Sequence, residues 1–141
     1  MKDVEIIIES TVDDLDDAGL TASSDKTRAE VRGNISECGG ALIISYTQTS
    51  KNVTSNSEIK VSADALTVKR SGDAEYSFVF KEGECTSSLY TVPPYSFDTD
   101  IYTRRIRNSL SACGGEITLI YDMTIGGAKK KTTMKIKVSE I

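Results

Sequence analysis

Alternation of apolar and polar residues with a period of two runs through most of this 141-residue chain. Its clearest stretch lies near the C-terminus. There Ile117, Leu119, Tyr121, Met123 and Ile125 alternate with Glu116, Thr118, Asp122 and Thr124, and only Ile120 breaks the polar side. Such a pattern predicts a strand with one buried face. Gly126-Gly127 offers a turn where positive φ costs little. Met134, Ile136 and Val138 then alternate with Lys135 and Lys137. The two segments predict a long hairpin on the outer wall of a one-cored sheet.

The same period marks about ten short strands. Met1 to Glu9 reads as the first, with Val4, Ile6 and Ile8 on one face. Asp13-Asp14-Leu15-Asp16-Asp17 and the polar residues up to Asp25 read as a solvated loop, because the spacing lacks a calcium-loop pattern. Thr27 to Ile35 is a second strand with Arg28, Glu30 and Arg32 outward, and Leu42 to Gln48 a third. Lys51 to Asn56 reads as a polar hairpin loop, and Ser57 to Ser62 as the return. If Leu66 and Val68 face the core, Arg70 does too. Tyr76, Phe78 and Phe80 form an aromatic stripe, followed by a strand from Thr86 to Val92. Pro93-Pro94 interrupts the ladder, since neither residue has an N–H to donate. Beyond it, Tyr95, Phe97, Thr99 and Ile101 share a face. The nearest approach to helical period is Asp100 to Leu110, whose Thr-Arg-Arg-Ile-Arg core could make one turn. The pattern therefore predicts a single all-β antiparallel domain over residues 1–141, as a barrel or a sandwich.

One internal echo stands out. Ser36-Glu37-Cys38-Gly39-Gly40 returns as Ser111-Ala112-Cys113-Gly114-Gly115, and Leu42, Ile44 and Tyr46 match Ile117, Leu119 and Tyr121. Either the fold has two similar halves, or two barrel hairpins have converged. Both readings have each Gly-Gly pair starting a strand.

Composition narrows the chemistry. A net charge of −4 argues against a broad nucleic-acid surface. Lys129-Lys130-Lys131 reads as an edge-protecting basic tip. Histidine is absent, which removes histidine-dependent catalysis and most zinc sites. No phosphate loop, nucleophile motif or metal-ligand spacing appears, so no cofactor and no catalytic residue is expected. No apolar run is long enough for a transmembrane helix, and the acidic first residues do not read as a signal peptide. Three cysteines, Cys38, Cys85 and Cys113, suit a reducing cytoplasm better than a disulfide framework.

The order of several short motifs resembles a known family. These are Gly39-Gly40, Ile44-Ser45-Tyr46, Leu66 to Gly72, Val79 to Gly83, Tyr90 to Ser96, and Gly114 to Tyr121. Together they look like the bacterial YwiB-like domain-of-unknown-function family, over about Val31 to Val138. Ser96 is a departure, standing where that family usually has glycine. The resemblance implies a calycin-like (lipocalin-like) β-barrel of about 8–10 strands in a cytoplasmic protein. It brings no catalytic residues with it.

A barrel of that size is either just filled by side chains or holds one small ligand. The inward positions therefore hold the candidate site: Arg70, Tyr46, Gln48, Tyr76, Phe78, Phe80, Tyr95, Phe97 and Tyr121. So many tyrosines, with a glutamine and an arginine, are more polar than a filled core needs. Arg70 either anchors an anionic ligand or sits at a strand end and pairs with a nearby carboxylate. The sequence thus supports a small-molecule-binding barrel or, alternatively, a filled barrel acting as an interaction module. An enzyme is the weakest reading.

Overall fold

The computed structural model describes residues 2–141, and every regular element in it is a strand. The strands are β1 (Lys2–Leu15), β2 (Thr21–Cys38), β3 (Ala41–Ser50), β4 (Val53–Val61), β5 (Leu66–Ser71), β6 (Tyr76–Phe80), β7 (Cys85–Val92), β8 (Tyr95–Asn108), β9 (Gly114–Ile125) and β10 (Ala128–Glu140). Met1, expected to begin the first strand, lies outside the described residues.

All ten strands form one antiparallel sheet in the order β6-β5-β4-β3-β2-β1-β10-β9-β8-β7. Its two edges then meet. Glu75 and Thr91 exchange backbone hydrogen bonds of 2.8 and 2.9 Å. Further along, Thr86 Oγ1 donates to the Val79 carbonyl at 2.6 Å. The result is a nearly closed barrel, so the barrel rather than the sandwich is realised.

The inward faces pack as the alternation predicts. Val4, Ile6, Ile35, Ile44, Ile59, Leu66, Phe80, Ile101, Ile117, Leu119, Ile136 and Val138 are buried in one cluster. Each fully buried aliphatic contributes about 1.5–3 kcal/mol. Outward positions carry ion pairs such as Lys135–Glu116 at 3.5 Å and Lys2–Glu140 at 2.9 Å. Such exposed pairs contribute about 0–1 kcal/mol each.

Four local expectations are corrected. The acidic run from Asp13 is not a loop: β1 continues to Leu15, with Asp13 opposite Ser24 and Lys131, and Asp14 opposite Ser23 and Lys130. The carboxylates are satisfied there, Asp14 by the Ser23 hydroxyl at 2.9 Å and Lys130 at 3.2 Å, and Asp13 by the Ser24 hydroxyl at 2.7 Å. The turn that follows is tight because Asp16 accepts the Ala18 and Leu20 N–H groups. Second, the Lys51 to Asn56 loop shrinks to two residues. Lys51 and Asn52 take positive φ, as a two-residue hairpin turn requires.

Third, the Thr-Arg-Arg-Ile-Arg segment makes no helical turn. It is a β-bulge in β8: Thr103 pairs with Tyr121 and Arg105 with Ile120, leaving Arg104 over. Arg104 Nε and Nη2 reach Asp122 Oδ2 at 2.8 and 2.7 Å, and Ile106 resumes the inward face. Fourth, the two Gly-Gly pairs do different things. Gly39-Gly40 is itself the β2–β3 turn, with Cys38 paired to Ala41. In the second copy Ser111 bridges Gly114, so Ala112-Cys113 turns the chain and Gly114-Gly115 opens β9.

Candidate functional site

Five hairpin turns gather at one end of the barrel: β1–β2, β3–β4, β5–β6, β7–β8 and β9–β10. Below them the lumen is filled by the aliphatic cluster. At their level it opens into a cavity of about 630 Å³, whose walls include Tyr76, Phe78, Tyr90, Tyr121, Arg70 and Lys130.

Arg70 is brought there by the register of β5, where it lies between Ser57 of β4 and Tyr76 of β6. The Ser71-Gly72 turn folds Asp73 back onto it. A side chain on Gly72 would strike the Thr54 carbonyl, and φ there is +115°. Arg70 Nε donates to Asp73 Oδ1 at 3.0 Å, and Nη2 to Oδ2 at 2.9 Å and to Ser55 Oγ at 3.1 Å. This two-point contact raises the guanidinium pKa further and holds the Asp73 carboxyl below the usual range. Asp73 is half exposed, so solvent screening keeps the pair's contribution to about 0–1 kcal/mol. From the facing wall Lys130 enters, paired with Asp14 at 3.2 Å. The mouth thus holds two cations, each already matched by a carboxylate.

The apolar wall is aromatic. Tyr76 lies 4.3 Å from Phe78 and 5.6 Å from Tyr90, and Phe78 lies 6.3 Å from Tyr90. All three ring planes fall within 20° of parallel. Tyr121 meets Phe80 at 4.8 Å beneath them. Burial pushes the Tyr76 phenol up to about 12 and raises that of Tyr121, so both stay protonated at neutral pH. A phenol whose folded pKa lies above its unfolded value near 10 adds stability that is whole below pH 10 and is lost as pH rises towards 12. Urea unfolding followed by far-ultraviolet circular dichroism at a series of alkaline pH values should therefore show stability falling above pH 10. In Tyr76→Phe that fall should be shallower, and an identical profile would place the Tyr76 ring in water.

The model of a family described as a domain of unknown function (DUF1934) matches residues 6–138. The chain belongs to that family. Among solved structures, the crystal structure of the ywiB protein from Bacillus subtilis is similar in fold, with a TM-score of 0.82 at 20% sequence identity. The likeness covers 100% of this chain and 94% of that one. No curated protein matches the sequence.

In this DUF1934 domain the sequence-derived candidates do not all fall in one place. Arg70, Tyr76, Phe78 and Tyr121 line the mouth cavity together. Tyr46 is half-buried in the same cross-strand row, between Gly33 and Ser57. Gln48 lies one step higher on β3, opposite Ser55, and Phe80 belongs to the packed core below. Tyr95 and Phe97 are not core residues: they are 66% and 38% exposed. Their register is inward, but β8 pairs with β9 only from Thr99 onward. The segment before it pairs along its length with β7, is held from the β9 side only by the Gly126 N–H donating to the Asp98 carbonyl at 3.2 Å, and overhangs the barrel end.

Among the cavity-lining residues that the sequence reading did not single out are Tyr90 and Lys130. Each had a signal. Tyr90 shares the period of Thr86 and Ser88, and Lys130 that of Met134, Ile136 and Val138. A basic run masked the second, because charged residues read by default as solvated. A larger depression of about 890 Å³ crosses the outside of β2 to β6 between rows that include Arg32, Glu58, Lys69 and Glu75. Tyr46, Arg70 and Tyr76 also contribute to its lining, but alternation directs their side chains to the lumen side, and most of the residues around it are outward-facing and of mixed charge.

Proposed function

We propose that this domain binds a small, partly apolar molecule in the mouth cavity. One observation supports this above the others: above the packed aliphatic cluster the barrel mouth is hollow and has the aromatic wall, whereas the depression at the opposite end is less than half that volume, about 290 Å³, and has no aromatic lining. A volume of about 630 Å³ falls within the range of small-molecule sites. The rings would bury the ligand's apolar part, and the protonated tyrosine hydroxyls would meet its polar atoms. The alternative, an interaction module with a filled barrel, would leave no such space. Cys38, Cys85 and Cys113 are all free and exposed, which fits residence in a reducing compartment. No helix among the described residues is long and apolar enough to cross a membrane.

The fluorescent dye 1-anilinonaphthalene-8-sulfonate (ANS) is a suitable probe, as it brightens in apolar cavities. The native protein should bind it saturably. Ala128, an exposed residue at the rim, also lines the cavity. An Ala128→Trp side chain should fill the mouth and weaken dye binding at least about tenfold, with little change in unfolding midpoint. Saturable binding unaffected by that plug would move the site elsewhere.

A further inference from the structure

The strand register carries aromatic side chains beyond the cavity. Phe97 stands directly opposite Tyr90 in the β7–β8 ladder, and Tyr95 stands opposite Val92. All four residues fall on the lumen side of the hairpin by alternation. Yet Val92, Tyr95 and Phe97 are exposed, because the ladders to the neighbouring strands stop short of them, at Glu75–Thr91 and Thr99–Ile125. The Phe97 ring is anchored at the rim: its Cδ1 lies 3.3 Å from the place a Gly126 side chain would occupy. Gly126 follows Ile125, a cavity-lining residue, and precedes the rim residue Ala128. Inner-facing aromatic residues thus continue without a charged interruption from Phe78 through Tyr76, Tyr90 and Phe97 to Tyr95.

An exposed aromatic face on one side of an overhang, aimed past a cavity, is costly to leave wet. Tyr76, Phe78 and Tyr90 stack on one another in the cavity, whereas Phe97 and Tyr95 stand apart from that stack, so the aromatic surface is offered in two places, one inside the mouth and one beyond it. We propose that Tyr95 and Phe97 form an outer subsite continuous with the mouth cavity, and that the ligand is an elongated molecule carrying an aromatic or other apolar group at each end. Its inner part would lie against Tyr76, Phe78 and Tyr90, and its outer part under the overhang. This rests on the cavity reading proposed above and deepens it.

The test compares ANS with bis-ANS, a dye in which two such units are joined by one aryl–aryl bond. The native protein should bind bis-ANS at least about tenfold more tightly than ANS. The double variant Tyr95→Ser/Phe97→Ser should weaken bis-ANS binding about tenfold while changing ANS affinity less than about twofold. Leu89 and Tyr102 are exposed on the opposite face of the same hairpin. Leu89→Ser/Tyr102→Ser should change neither dye, which separates the subsite from general surface adhesion. Equal losses for both dyes in the first variant, or none for either, would overturn the outer subsite and leave the cavity standing. Failure of the native protein to bind either dye would overturn the cavity reading, and the subsite with it.

Discussion

Replacing Leu119 with alanine should destabilise the protein by about 2–5 kcal/mol, read from urea unfolding. Leu119 is fully buried, 0% exposed, in β9. It is paired with Met134 of β10 on one side and Ile106 of β8 on the other. Truncation there removes the transfer free energy of the lost methyl and methylene groups and leaves a cavity. The surrounding wall cannot collapse into it easily, because each strand is hydrogen-bonded on both edges. Ligand-dye binding should survive in whatever fraction stays folded, as Leu119 does not line the mouth cavity. A loss below about 0.5 kcal/mol would be a surface value and would contradict the packing described here.

Leu119 also shows why so much of the fold was legible in the sequence. A one-sided strand encodes its inner face at every second residue, so Ile117, Leu119 and Tyr121 name their own environment. Register then follows from the pairing of apolar faces, since a one-residue slip would turn all of them to water. The misread segments are those where this code is locally rewritten. At Arg104 a bulge inserts one residue, so two consecutive arginines face outward and the period of two disappears. At Asp13 and Asp14 the code is intact, but the stabilising partners are serines and a lysine on neighbouring strands. Local composition suggests a solvated loop, whereas the carboxylates are in fact paired across the sheet. The two Cys-Gly-Gly copies fail for another reason. Glycine permits several turns, and which one forms depends on the strands that each hairpin must join.

The site was legible to the same depth. Facing direction could be read from alternation, so Arg70, Tyr76, Phe78 and Tyr121 were found. Height along the barrel axis could not, since it depends on strand lengths and stagger between neighbours. That is why Tyr95 and Phe97 share the inward direction of Ile101 yet stand beyond the barrel's end. The partner of Arg70 was equally out of reach. Asp73 is three residues away, but only the turn at Gly72 decides that its carboxylate returns to the guanidinium.

Gly33→Ala should be disproportionately damaging for the addition of one methyl group. Gly33 is where β2 parts from β3: the β2–β3 ladder runs from Gly33–Tyr46 to Cys38–Ala41 and no further up. An added Cβ would collide with the Ser45 carbonyl oxygen and lie 2.9 Å from Tyr46 Cβ and 3.1 Å from Ile6 Cδ1. The first two obstacles belong to the partner strand, and Ile6 is fully buried, so no flexible side-chain end can yield. Relief requires β2 and β3 to separate. Such overpacking costs typically about 1–3 kcal/mol, and here the backbone itself must move. Tyr46, displaced from its place beside Gly33, lies in the same inward row as Arg70 and Tyr76 and would be pushed towards the mouth. Gly33→Ala should therefore combine a stability loss of about 1–3 kcal/mol with weaker ANS binding in the folded protein. Leu119→Ala, by contrast, should lower stability alone. An alanine variant with native stability would show that the strands at Gly33 are further apart than the structure places them.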